Sequence, residues 1–496
     1  MSGERYSIFW SEMTFQELAS AGVTVTSTIP PTQEHIDEAH RWGIKVCPYI
    51  SLYKVIDTSK GDLIDDEVLV SQSPFWKAID GYTTGHPEWY LRKSDGTISR
   101  PFNNPSYPQP FQEASLNHQS LIDAYCQGVR NLMDMGADGV FVDNVCNNST
   151  YCYGPQYGYP HDWPELNNVQ CYDIALQAVR TTMNSYGNRI MFMNAGGSPP
   201  PSQYTMYGDC VMWESFMWRP GGARRSPYTW DELKSKAAQF KSVSDSVTPL
   251  TYLPNAETVV EDAFLSYSWA TLVGMDQWNA TLPEWNTGLP ARRDIVRRLY
   301  RVNTGEATSD LIEVGDVAYR QFENALIVTN HSTEPVEFQI PVSSSMGSAV
   351  MELFDMCEME VVDGQITLIL PAESGRVIVS RAEGLDNLLR EIEGQSLAAR
   401  LYIEEQFADD PDMTALIEPL EEIEADAAAL LTAVHETGFP LGADHFTLIE
   451  VCNNAAALPT PDGTDAFLIE RLDNLRNHAD WISYVTPEPS SLVLLV

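Results

Sequence analysis

From residue 6 to about residue 305, short apolar runs alternate with segments of helical periodicity, and this alternation constrains the fold more than any other feature. The apolar runs fall at 7–10, 23–29, 44–52, 139–144, 190–194, 211–216, 248–253 and 275–279. Helical segments lie at 14–21, 32–42, 119–135, 172–185, 229–243, 261–272 and 291–302; only the fifth run lacks a good helix after it. Several runs are apolar throughout, as strands of a parallel sheet buried on both faces are. Eight strands in this order predict an α/β chain whose residues 1–305 form a (β/α)8 TIM barrel. A doubly wound dinucleotide-binding sheet is not indicated, because no GxGxxG follows a strand.

The third run is followed by a long insertion, 53–117, rich in Pro, Gly and aromatic residues such as Trp76, Trp89 and Phe111. Long irregular segments are functional or disordered, and the aromatic content argues against disorder. Beyond residue 305 the pattern changes. Alternating runs at 318–329, 336–341, 349–354, 365–370 and 375–379 predict a small antiparallel β-sandwich over 306–382. An acidic helical appendage follows over 383–484, with segments at 385–392, 397–407, 413–436 and 466–482. The final stretch, 485–496, contains Pro487-Glu488-Pro489-Ser490-Ser491 and then an apolar run. It resembles the start of a PEP-CTERM sorting signal, and that resemblance implies a protein exported into or through a bacterial envelope. Five apolar residues fall short of the roughly 20 that a membrane span needs.

Charge narrows the partners. Sixty-nine acidic residues against 30 basic give a net charge of −39, which excludes a phosphate-rich nucleic acid and an anionic membrane surface. The eight cysteines form no CxxC pair, so neither a zinc ribbon nor a thioredoxin motif is indicated. Cys146, Cys152 and Cys171 fall around one loop and the helix after it. A disulfide within this trio would brace the loop in an oxidising compartment; buried thiols are the alternative. No cofactor or metal is implied.

The strongest local signal is Met135-Gly136-Ala137-Asp138-Gly139-Val140-Phe141-Val142-Asp143-Asn144. A helix ends at Gly136, an apolar strand begins after Asp138, and Asp143 stands at the strand's C-terminal end, where barrel chemistry is done. A carboxylate after Val-Phe-Val is partly dehydrated, so it is either paired or used. The second carboxylate comes from the sixth run, Val211-Met212-Trp213-Glu214. Gly-Ala-Asp-Gly-Val-Phe-Val-Asp-Asn resembles the fourth-strand motif of barrel glycoside hydrolases of the α-amylase-like and clan D (α-galactosidase-like) groups. The resemblance implies that Asp143 is the nucleophile and that the sixth-strand Glu214 is the acid/base. Clan D usually carries Asp there, so Glu214 is a departure; the α-amylase group puts its acid on strand five, where this chain has Asn194.

A sugar site also needs hydrogen-bonding groups around aromatic platforms. Candidates at strand ends and in loops are Glu12, Tyr49, His86, Asn144, Asn194, Trp213, Tyr252, Asp276 and Trp278, with Asp276 the rival carboxylate. Trp218, Arg219, Arg224 and Arg225 follow Glu214 closely, and three arginines in seven residues stand out in so acidic a chain. They suit sulfate or carboxylate groups on a substrate, or pair with the protein's own acids. The expectation is therefore an exported retaining glycosidase acting on a polysaccharide or oligosaccharide. Endo action on a sulfated polymer such as fucan is the particular form the arginines favour. An exo-acting α-galactosidase-like or polygalactosaminidase-like hydrolase, or a non-catalytic carbohydrate-binding surface protein, are the alternatives.

Overall fold

The computed structural model describes residues 6–7, 15–20, 22–27, 32–60, 73–101, 110–145, 152–217, 228–253, 258–275, 278–281, 298–355 and 357–437, with scattered positions between 451 and 476. The chain forms two compact units. The first comprises residues 1–11, 23–252 and 275–281, and the second 12–22, 253–274 and 282–496.

The first unit is built on parallel strands. β1 (Tyr6–Ser7), β2 (Val25–Thr26) and β3 (Lys45–Val46) form one parallel sheet. β4 (Tyr49–Ser51) opens a second sheet; β5 (Lys54–Ile56) and β6 (Phe111–Glu113) pair antiparallel beside it. From β4 the parallel sheet runs through β7 (Gly139–Asp143), β8 (Ile190–Asn194), β9 (Cys210–Glu214), β10 (Val247–Tyr252) and β11 (Asn279–Thr281). β3 and β4 are two halves of the single strand expected at 44–52. The break falls at Cys47-Pro48, and proline has no N–H to give to a ladder. Counting that broken strand once, eight parallel strands lie in the order of the sequence, in agreement with the eight apolar runs.

One core joins these strands. Val25, Cys47, Phe141, Ile190, Phe192, Cys210, Met212 and Leu250 form a single buried cluster, with Tyr49 against it. They come from alternate positions of successive strands, so the same face of each strand points into this core. Among the helices of this unit are Gln119–Asp134, Asn168–Asn184 and Trp230–Lys241, and Phe240 of the last stacks on Trp213 of β9, whose neighbours Met212 and Glu214 lie on the other face of the strand. Asn167 and Thr229 start the last two of these helices with reciprocal capping boxes.

The second unit contains the helix Val259–Leu272 and two antiparallel sheets. The larger sheet orders β12 (Ile312–Val314), β13 (Val317–Gln321), β14 (Ala325–Asn330), β19 (Ser374–Ser380), β16 (Ala349–Glu352) and β17 (Cys357–Glu360). The smaller pairs β15 (Val336–Pro341) with β18 (Gln365–Leu370). Both contribute to one core that includes Val317, Leu326, Val328, Ile340, Ile366, Leu370 and Ile378. The run expected as one strand at 318–329 is instead a hairpin turning after Gln321, with Phe322 N–H donating to the Ala325 carbonyl at 2.8 Å. The helices expected at 385–392 and 397–407 are one 26-residue helix, Arg381–Gln406. Ile417–Thr437 supplies the next long helix. The segments expected at 466–482 and 485–496 lie largely or wholly outside the described residues. No helix among the described residues is long and apolar enough to cross a membrane.

Candidate active site

The motif that ends in Asp143 divides its labour by position. Gly136 takes φ 94°, the left-handed turn that closes the helix Gln119–Asp134. Asp138 is a structural pin: its carboxylate accepts the Val46 N–H at 2.9 Å and lies 2.8 Å from His40 Nε2. A Cβ at Gly139 would stand 2.0 Å from the Ile190 carbonyl oxygen, so only glycine lets β7 and β8 approach this closely. Val140 and Val142 then alternate with Phe141, and Asp143 emerges at the C-terminal end beside the core face.

Around Asp143 the donors converge. Its Oδ2 accepts the Tyr49 hydroxyl at 2.6 Å and the Asn144 side-chain amide at 2.6 Å. Its Oδ1 accepts Asn194 Nδ2 at 2.7 Å. The same Asn194 nitrogen donates to Glu214 Oε2 at 2.9 Å. Asn194 Oδ1 accepts the Gly196 N–H at 2.8 Å, which fixes the amide so that its nitrogen faces the two acids. Two oxygens held by one nitrogen at 2.7 and 2.9 Å cannot lie further apart than about 5.6 Å, beside the roughly 5–5.5 Å separation that marks retaining glycosidases. Asp143 and Glu214 are therefore brought together, and both are partly accessible.

The backbone after each acid is strained. Asn144 has φ 62°, Ser215 φ 59° and Met217 φ 73°, each a non-glycine residue in the left-handed region. Such positions cost of order 1–3 kcal/mol apiece and gather where a site has to be held in shape. Glu214 is anchored by its own N–H on the Gly196 carbonyl at 3.0 Å, and Phe216 N–H by the Leu250 carbonyl at 2.9 Å.

Two residues of this cluster escape a sequence reading. Lys54 is 5% exposed, with Nζ 3.2 Å from the Tyr49 hydroxyl and 4.0 Å from Asp143 Oδ2. Ser51, fully buried, accepts the Asn144 amide at 3.2 Å. The available signal for Lys54 was its charge inside the apolar stretch 49–56 of a chain with few basic residues. Asn279 belongs to the same register row as Glu214, through Leu250. It is fully buried, and among the described residues neither its Oδ1 nor its Nδ2 has a hydrogen-bond partner. A buried amide left unsatisfied is rare and calls for an explanation.

Other expected site residues lie elsewhere. Trp213 is a correction: it is fully buried, stacked on Phe240 at 4.9 Å and edge-on to Phe216 at 4.9 Å. Strand alternation turns it away from Glu214 and under the helix Trp230–Lys241. Trp278 is 6% exposed, too buried for an open sugar platform. His86 belongs to the insertion, where Nδ1 lies 2.6 Å from Glu88 and the ring stacks on Trp89 at 4.2 Å. Tyr252 ends β10 in register with Thr281, and its side chain lies outside the described residues. Glu12, Trp218, Arg219, Arg224, Arg225 and Asp276 also lie outside them. Cys152 and Cys171 are free thiols, so no disulfide joins them; Cys146 is not described. Among the described residues no group of three His, Cys, Asp or Glu side chains is placed to hold a metal ion.

No family model matches the chain. No curated protein matches it either. Solved structures do resemble it in outline. Amy13B of Eubacterium rectale is 13% identical, with a TM-score of 0.48 over 76% of this chain and 96% of that one. The α-glucosyl transfer enzyme XgtA is 11% identical, with a TM-score of 0.48 over 76% and 99%. The glycoside hydrolase domain of PelA from Pseudomonas aeruginosa is 11% identical, with a TM-score of 0.36 over 56% and 94%. At such identities and scores these likenesses assign no activity to the chain, and the functional reading has to rest on the site itself.

Proposed function

We propose that this protein is a glycoside hydrolase of retaining mechanism, with Asp143 as nucleophile and Glu214 as general acid and base. The observation that carries the reading is the Asn194 amide shared between the two carboxylates, which stand at the ends of the two parallel strands that flank its own. We further infer that the eight strands close into a (β/α)8 barrel whose opening holds this pair.

In the first step Glu214 gives its proton to the glycosidic oxygen as the bond to the anomeric carbon breaks. Asp143 attacks that carbon and forms a glycosyl-enzyme. Oδ1 is the attacking oxygen, because it carries the Asn194 bond, while Oδ2 is occupied by Tyr49 and Asn144 and faces Lys54. Glu214, now a carboxylate, takes a proton from water, which attacks the same carbon and releases Asp143. Two inversions retain the anomeric configuration.

The substrate class we propose is a polysaccharide or its oligosaccharides. The arginines that follow Glu214 favour a sulfated one, such as fucan. The test screens wild type, Asp143→Asn and Glu214→Gln on a polysaccharide panel, with NMR of the first-formed anomer. Both variants should lose at least about a thousandfold in rate, and the product should keep the substrate's configuration. Full activity in either variant removes that residue from the mechanism, and an inverted product rejects the nucleophile role.

A further inference from the structure

Lys54 is 5% exposed and opens β5, outside the main parallel sheet. Its backbone is fixed twice: β5 pairs with β6, and the Lys54 carbonyl accepts the Tyr125 hydroxyl at 3.0 Å. Its side chain reaches the nucleophile. Nζ lies 3.2 Å from the Tyr49 hydroxyl and 4.0 Å from Asp143 Oδ2, over the Tyr49 and Phe111 rings at 5.8 and 5.7 Å. An ammonium so nearly buried has given up water that its partners have to replace. We propose that Lys54 is a positioning residue of the hydrolysis, acting through Tyr49 to favour the departure of Asp143 from the sugar in the second step. The inference rests on the hydrolase reading and adds a residue to it.

Chemistry sets the direction of this chain. A lysine ammonium has three donors and no acceptor, so Nζ donates to the Tyr49 oxygen. The one hydroxyl proton of Tyr49 is then left for Asp143 Oδ2, 2.6 Å away. A hydroxyl that accepts from a cation donates more strongly in turn. The Tyr49 ring is held in place, stacked on Trp76 at 6.4 Å and tilted against Phe141 at 6.0 Å. The Lys54 charge thus acts on Oδ2, the oxygen that does not bond to the sugar.

The two steps of the reaction use that charge unequally. In the glycosyl-enzyme Oδ1 is bonded to the anomeric carbon, and Asp143 is an uncharged ester. When water attacks that carbon the C–Oδ1 bond breaks, its electron pair returns to Asp143, and Glu214 takes the water proton. Negative charge therefore reappears on Asp143 beside Lys54. A fixed cation stabilises that developing charge more than it stabilises the ester. The first step runs from carboxylate to ester and gains nothing from the cation. Loss of Lys54 should slow the second step and spare the first.

The test is Lys54→Met, which keeps most of the stem and loses the charge, in the full chain on the same polysaccharide panel as wild type. A hydrogen bond to a charged group corresponds to roughly tenfold to a hundredfold. kcat should fall by that factor and KM with it, leaving kcat/KM within about threefold of wild type. Acid-quenched variant should carry the glycosyl mass in intact-mass spectrometry, because the intermediate accumulates. If Lys54→Met does not fold, Lys54→Gln is read by the same criteria. A fall in kcat/KM as large as that in kcat, with KM unchanged, is what a merely structural lysine would give, and it overturns the proposal. A second arm needs no substrate: urea unfolding of wild type, Lys54→Met, Asp143→Asn and the double variant. Loss of Lys54 should change the unfolding constant at least about fivefold less in the Asp143→Asn background, and strict additivity overturns the coupling of Lys54 to Asp143. Coupling with unchanged kinetics overturns the proposal and leaves the hydrolase reading standing. Coupling with a wild type inactive on the whole panel overturns that reading, and this proposal with it.

Discussion

Replacing Asn194 with alanine tests the geometry most directly. The side chain makes three hydrogen bonds: to Asp143 at 2.7 Å, to Glu214 at 2.9 Å and from the Gly196 N–H at 2.8 Å. A hydrogen bond to a charged group contributes about 1.5–3 kcal/mol. Its removal also leaves two carboxylates no more than about 5.6 Å apart with no donor between them. At an effective dielectric of about 20 their repulsion is about 3 kcal/mol when both are ionised. Water entering the gap recovers part of this, so the expected loss of stability is about 2–4 kcal/mol, with a loss of about 10–100-fold in kcat. The assay is urea unfolding of wild type, Asn194→Ala, Asp143→Asn and the double variant. Because Asp143→Asn removes one of the two charges, Asn194→Ala should cost at least about 1 kcal/mol less in that background. Strict additivity, or a single-variant cost below about 0.5 kcal/mol, would refute the shared-donor arrangement.

Three further outcomes follow from other parts of the molecule. Trp213→Ala should cost about 3–5 kcal/mol in thermal or urea unfolding, because the ring is fully buried against Phe240, while at a temperature where the variant remains folded kcat should change by less than about threefold. Asn279→Leu should leave stability unchanged or raise it by about 1–3 kcal/mol, since it removes a buried amide unsatisfied among the described residues, and a clear loss of stability in urea unfolding would show that the amide has a partner. Asp262 is pushed up to about 6, by burial first and then by Glu261 and Glu373, against the bond from Thr258. Its folded state holds the proton more tightly than the unfolded chain, so its contribution is fullest below about pH 4 and is lost as pH rises through about 6, by at most about 2–3 kcal/mol. Asp262→Asn should flatten that part of the stability profile, and an unchanged profile would show that the carboxyl is already solvated.

Much of the framework is legible in local sequence. The apolar runs mark the parallel strands because a strand buried on both faces has to be apolar along its length. Gly136, Gly139 and the Val-Phe-Val segment put Asp143 at a strand's exit, since each responds to a constraint a few residues long. The same reasoning at 211–216 locates Glu214, and period-two alternation already turns Trp213 the other way. Strand breaks are harder to read. The hairpin inside 318–329 and the continuous helix Arg381–Gln406 depend on long-range pairing and packing that outweigh weak local breakers.

What sequence by itself determined is which residues stand at the ends of strands, because alternation and turn chemistry act over a few neighbours. Tertiary structure alone decided which of those ends share a proton donor. The register of β7 on β8, and of β8 on β9, brings Asn194 between two acids that are 71 residues apart in the chain. Lys54 and Ser51 join them only because β4 pairs with β7, bringing residues near 50 beside Asp143. Pairing of this kind is fixed by the whole core packing at once, and no window of sequence carries it.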